Sequence, residues 1–196
     1  MLTVNISAFG GDYIIEEPLR TEHTRSFYLN REELDELEDY MYTYMRSVTD
    51  RTVDPLIETG KNILMENLII KIFNKSIGQI ATGLNLMFSI VNETEYSLVK
   101  EYAVDGYDAA RRARNDFLDI ETIINRKVYE AEIKFEVYTR WDNYDVEMVS
   151  GGGKIVRVRV DGGWMSSGEV QKLIEQYYIE HMKNNIYNEK IIQLYQ

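Results

Sequence analysis

The side chains that could carry chemistry in this chain are few, and their spacing assembles no reaction centre. The two histidines, His23 and His181, are far apart in sequence, and neither has a partner at metal-ligand spacing such as H-x-x-x-H. With no Cys at all, thiol catalysis, disulfides, cysteine-ligated zinc and iron–sulfur clusters are excluded. Carboxylate pairs stand at Glu16-Glu17, Glu32-Glu33 and Glu93/Glu95, the residue type that general acid–base work needs. A chain with 33 Asp and Glu produces such pairs freely, however, and none of them accompanies a nucleophile or a base. Gly151-Gly152-Gly153-Lys154 has the composition of a phosphate loop. It lacks the G-x-x-x-x-G-K-[ST] spacing and runs into a strand pattern rather than a helix, so a hairpin loop is expected there. In Ser166-Ser167, Ser166 stands three residues before Glu169, the spacing of a helix cap rather than of an activated nucleophile. These patterns predict no catalytic, cofactor-binding or metal-binding residue, and the chain reads as a non-enzyme.

Charge and composition bound the partners. The chain has 196 residues with 22 Lys and Arg against 33 Asp and Glu, a net charge of 22 − 33 = −11. The imbalance is uneven: −8 over residues 1–60, −4 over 61–150 and +1 over 151–196. An acidic balance argues against direct nucleic-acid binding, which normally shows a basic excess. Apolar residues are 44 % of the chain, enough for an ordinary core. The most apolar stretch, Ile77 to Val91, is broken by Gly78, Gln79, Thr82, Gly83, Asn85 and Ser89 and is too short and polar to span a bilayer. Met1 to Ser7 lacks the basic-then-apolar order of a secretion signal. The expectation is a soluble protein without membrane partners, in the cytoplasm or in a virus particle assembled there.

The hydropathy period divides the chain. Leu2, Val4, Ile6 and Ala8 alternate with polar residues as a half-buried strand, ended by Gly10-Gly11-Asp12; residues 12–29 show no clear period and read as an extended arm. Asn30 with Glu33 forms a capping box before the stripe Leu34, Leu37, Met41, Tyr44, Met45 and Val48. Asp54-Pro55 starts a second helical region running to about Asn74, with Gly60 a boundary. Ser76 to Val91 reads as a further helix, and Asn92 with Glu95 opens a short one that Asp105-Gly106 should stop. Residues 107–127 form another helix, and its arginines Arg111, Arg112 and Arg114 sit near its start, where the dipole disfavours cations. They are either three solvated arginines or arginines with acidic partners elsewhere, the first helix being the candidate. The period then changes to two. Strands are expected towards Trp141, over Tyr144–Met148, over Val156–Val160 and at Gly163–Met165, followed by a terminal helix capped by Ser166. The fold class is therefore α+β: a helical middle, a small antiparallel meander and a C-terminal helix, with the N-terminal strand a candidate to join the sheet. The regions are 1–29, 30–127 and 128–196.

The segment 154–174 resembles the end of a growth-arrest-specific-two-related (GAR) domain, a small cytoskeletal module. Val158-Arg159-Val160, Gly162-Gly163-Trp164 and Val170 with Leu173 match its strand, turn and helix in order. Asp161 stands where the family has its first glycine, the family's cysteines are absent, and the chain is acidic where that family's microtubule contacts are basic. The resemblance implies a partner-binding face of Arg157, Arg159, Trp164 and Lys172, without zinc. The acidic face of the first helix, with Glu32, Asp35, Glu36 and Asp39, is the second candidate partner surface. Together with fifteen tyrosines, a residue enriched at interfaces, these features predict a non-catalytic structural or adaptor subunit in a homo- or hetero-oligomer. The host assembly is cytoskeletal or axonemal on the GAR-like segment. On architecture alone it is equally a phage virion, as a head–tail connector subunit. Other readings are an acidic inhibitor or DNA mimic built on the first 60 residues, and an enzyme with an unrecognised carboxylate site.

Overall fold

A computed structural model of the chain describes residues 20–90, 93–140, 147–161, 163–166, 168–177 and 179–180. The order is β1 (Arg20–Leu29), α1 (Arg31–Asp50), α2 (Pro55–Thr59), α3 (Ile63–Phe73), α4 (Ile77–Ile90), α5 (Glu93–Ile124), β2 (Val128–Arg140), β3 (Glu147–Val160) and β4 (Gly163–Met165). A terminal helix follows over 168–177 and 179–180. The α+β class is as the hydropathy periods predict: the helical middle precedes a four-stranded antiparallel sheet of order β1-β2-β3-β4.

The N-terminal strand of that sheet is not the alternating segment Leu2–Ala8, which lies outside the described residues. It is Arg20–Leu29, from the arm that shows no clear period, in register with β2 from Arg20↔Arg140 to Leu29↔Ala131. Its inward positions explain why it is hard to read. Phe27 and Leu29 are buried, but the earlier positions of the same parity are His23 and Arg25, so the alternation is masked by polar residues.

Local capping fixes the helices. Asn30 and Glu33 make the reciprocal capping box at the start of α1. Asp54 caps α2 with Pro55 at its first position, Gly60 ends it at φ +70°, and Asn62 caps α3 by accepting from Met65 N at 2.8 Å. At the other end of α1, Arg51 adopts a left-handed conformation, and its guanidinium reaches Glu93 at 2.7 Å while lying 3.8 Å over the Tyr96 ring. Tyr96 Oη donates to Val48 O, so the start of α5 is tied to the end of α1. Asn125, at φ 48°, stops α5, and Val128 N donates back to Glu121 as β2 begins.

Two glycine signals mean something other than termination. Asp105-Gly106 does not stop a helix: α5 runs through it for 32 residues, about 48 Å at 1.5 Å per residue. A Cβ on Gly106 would meet the Val149 carbonyl oxygen at 2.0 Å, so glycine there permits close helix–strand contact. Arg111, Arg112 and Arg114 accordingly lie in mid-helix, away from the N-terminal dipole. Likewise Ser150-Gly151-Gly152-Gly153 is not a hairpin loop but the middle of β3, where Gly151 faces Glu136 and Gly152 faces Phe135. Gly152 and Gly153 have φ of 80° and 79°, and the register shifts beside them mark bulges. A Cβ on Gly153 would stand 2.2 Å from the Ala109 carbonyl oxygen. Glu147 and Met148, the end of the strand expected over Tyr144–Met148, thus belong to one element with the strand expected over Val156–Val160; residues 141–146, with the turn expected at Trp141, lie outside the described residues.

A single core results. Ala103, Ala109, Ala110, Ala113 and Phe117 of α5 share it with Leu34, Leu37 and Met41 of α1 and with Ile133, Phe135, Val149 and Val158 of the sheet. Val170 places the terminal helix against the same core. One face of the sheet is therefore covered by helices, and among the described residues no element packs on the other.

Candidate functional site

Along β2 and β3 the inward residues are aliphatic, aromatic or, at Gly153, glycine, so the alternate positions must point outward. Glu130, Glu132 and Lys134 of β2 and Lys154, Arg157 and Arg159 of β3 do so, with Tyr28 of β1 and Trp164 of β4 at the two edges. The register sets Tyr28, Glu132 and Arg157 in one cross-strand row and Trp164 opposite Arg159.

The edge aromatics lean inward and meet above the two central strands. The Tyr28 and Trp164 rings stand edge to face at 5.8 Å. The Arg157 guanidinium lies 4.6 Å from the Trp164 ring centroid, donates to Tyr28 Oη at 3.1 Å and pairs through Nε with Glu132 at 2.5 Å. Tyr28 and Trp164 nevertheless keep 39 % and 40 % of their surface exposed, which leaves aromatic area for a further contact. Beside this cluster a bulge at Tyr129 turns that ring outward, 44 % exposed, between Lys127 at 5.4 Å and Arg159 at 6.0 Å. Arg159 also stands 3.4 Å from Glu130. A groove of about 490 Å³ opens next to it, lined by Arg31, Glu32, Glu121, Lys127 and Tyr129 among others.

Of the GAR-like face, then, the structure brings Arg157 and Trp164 together and sets Arg159 alongside. Lys172 is exposed on the terminal helix, near Glu169. Hydrogen bonds from the Ser166 hydroxyl and backbone, assisted by Lys172, hold the Glu169 carboxyl below its ordinary pKa. Ser166 and Glu169 form the predicted cap, which leaves Ser166 with a structural task.

The acidic face of α1 is arranged differently from the expected open surface. Asp35 and Glu38 pair with Arg114 at 2.7 and 3.3 Å, so one of the three α5 arginines has the predicted acidic partner. Arg112 instead donates to Gly152 O at 3.2 Å, and Arg111 is exposed. Asp39 pairs with Lys61 at 3.1 Å, Glu36 accepts from Asn62 at 2.8 Å, and Glu33 pairs with Lys71 at 3.0 Å. Only Glu32 of the four predicted acidic site residues lines the groove. The others are joined to the chain's own donors.

Tyr28 and Glu132 are the members of the outer cluster that the sequence reading does not single out. The signal for Tyr28 is the alternation Ser26-Phe27-Tyr28-Leu29, too short to register against the polar residues before it. For Glu132 it is the acidic outward position in the alternation Ala131, Ile133, Phe135. Elsewhere, Asp116 is held above its ordinary pKa by burial and then by Asp119, against the opposing pull of Arg112. Among the described residues no three His, Asp or Glu side chains gather closely enough to hold a metal ion, and no helix is long and apolar enough to cross a membrane. No family model, no curated protein and no solved structure matches the chain.

Proposed function

We propose that the protein is a non-catalytic assembly subunit that binds another protein through the outer face of its sheet. The observation that carries this reading is the exposed Tyr28–Arg157–Trp164 cluster. Trp, Tyr and Arg are the residue types over-represented among energetic hot spots at interfaces. Here the three are held in place by one another and by Glu132, so little side-chain entropy is left to lose on binding. Arg157 and Arg159 are matched by Glu132 and Glu130, so this cluster offers oriented aromatic area rather than net charge.

The same pairing argument weighs against the acidic-mimic reading. Carboxylates that imitate phosphates must be free to meet a basic partner, and Asp35, Glu36, Glu38 and Asp39 are engaged by Arg114, Asn62 and Lys61. The GAR-like order of strand, turn and helix supports a cytoskeletal host and the layered α+β architecture a virion; the identity of the partner decides between them.

The test is native mass measurement of the tagged full chain recovered with its bound protein, at low salt and at 0.5 M salt. The proposal expects a species above the 23.0 kDa of one chain that survives the salt. A chain that stays monomeric and binds nothing contradicts it. A complex that dissolves at 0.5 M salt points back to the acidic surface.

A further inference from the structure

Beside the row of Tyr28, Glu132 and Arg157 the register sets a second row across the outer face: Ser26, Lys134 and Lys154. All three are exposed while Phe27, Ile133, Phe135, Gly153 and Ile155 next to them are buried, so the three side chains stand on the outer side. The two rows differ in charge. Between β2 and β3, Arg157 pairs with Glu132 and Arg159 with Glu130. Lys134 stands directly opposite Lys154, and among the described residues neither has an ion pair or a hydrogen bond. Like charges directly opposite each other weaken a sheet. The next acid along β2 does not relieve this pair: the Glu136 carboxylate lies against Gly151, where a Cβ would meet its Oε2 at 2.5 Å.

We propose, resting on the outer face as the partner surface, that the partner presents an Asp or Glu carboxylate to Lys134 and Lys154 and an apolar side chain to Tyr28 and Trp164. A carboxylate there relieves the repulsion between the lysines, and the Ser26 hydroxyl of the same row is a further donor. The two rows lie two residues apart along β1 and β2, about 7 Å. That is also the spacing of side chains i and i+2 on one face of an extended segment, so a single acidic and apolar stretch spans both rows. A polyanion fits less well, because Glu130, Glu132 and Glu136 on the same strand repel successive phosphates. The chain's net charge of −11 does not prevent the contact: exposed charges are screened beyond about 8 Å at physiological salt, so the local lysines decide.

The test is fluorescence anisotropy of the full chain with two fluorescein-labelled peptides, Glu-Ser-Phe-Ser-Glu-Ser-Phe and the same peptide with Gln in place of Glu. The parent chain is expected to bind the first about fivefold more tightly, and a chain carrying both Lys134→Gln and Lys154→Gln to bind the two alike. Equal binding of the two peptides by the parent, a preference that survives in the double variant, or no binding of either peptide overturns the proposal. Equal binding that Trp164→Ala abolishes keeps the partner surface and removes only its preference for acid, so the two failures are told apart. The double variant carries a second readout. With no partner for the lysines inside the chain, its melting temperature stays at the parent's value or rises; a fall shows that the lysines are held within the chain and overturns the proposal.

Discussion

The two faces of the sheet use the same strands for opposite ends. On the inner face β3 presents glycine and aliphatic residues, and the α5 backbone comes close enough that a Cβ on Gly106 or Gly153 would overlap a carbonyl oxygen. On the outer face the next residues of the same strand, Lys154, Arg157 and Arg159, carry charge, and aromatic rings from both edge strands meet beside Arg157. The inner face is closed and sterically exact in its demands. The outer face is ordered but leaves its largest rings two-fifths exposed. Rings that are ordered but not buried are what the proposed partner surface requires.

Substitutions separate the two faces, and the largest effect is expected inside. Gly153→Val forces a β-branched residue into a left-handed φ of 79° and drives its Cβ into Ala109, so a loss of about 3 kcal/mol or more in urea unfolding is expected. Gly106→Ala tests the same seam from the helix side, where the gain in helix propensity cannot offset contact with Val149 O. If either variant is as stable as the parent, the seam is looser than described. On the outer face, Trp164→Ala removes one edge-to-face contact and one cation–π contact and should cost only about 1 kcal/mol of stability.

Smaller effects come from the polar seams. Arg114→Met leaves Asp35 and Glu38 without their cation; because Arg114 is a third exposed, the expected loss is about 0.5–1 kcal/mol, shrinking in high salt. Asp116 has the smallest predicted effect, and its sign is definite. Its pKa is raised on folding, so its contribution is complete below the unfolded pKa and is lost as pH rises through the folded one. Asp116→Asn should therefore raise the melting temperature at pH 7 relative to the parent, with the gain disappearing in acid. A variant less stable at pH 7 would assign Asp116 a hydrogen-bonding role instead.

Much of the architecture is legible in the residue order because its signals are local. The capping boxes at Asn30/Glu33 and Ser166/Glu169, the Asp54-Pro55 start and the β2 alternation form as their patterns predict. What is not legible depends on contacts between distant segments. Glycine in sequence marks a turn or a close approach equally well, and only the packing of α5 on β3 shows that Gly106 and Gly153 serve approach. Strand β1 is hidden because His23 and Arg25 occupy inward positions. The candidate site was half visible: Arg157 and Trp164 lie close in sequence, whereas Tyr28 arrives from the far edge of the sheet. The pairing of the acidic face of α1 with Lys61 and Lys71 is not legible, because those cations come from the α2–α3 loop and from α3.

The central claim is that the open sheet face binds a protein partner, and Trp164→Ala compared with the parent chain tests it most directly. Light scattering and native mass spectrometry should show the partner complex for the parent and its loss for the variant, while circular dichroism and amide exchange of β2 and β3 stay close to those of the parent. A Trp164→Ala chain that remains folded and still forms the full complex would contradict the assignment of this face.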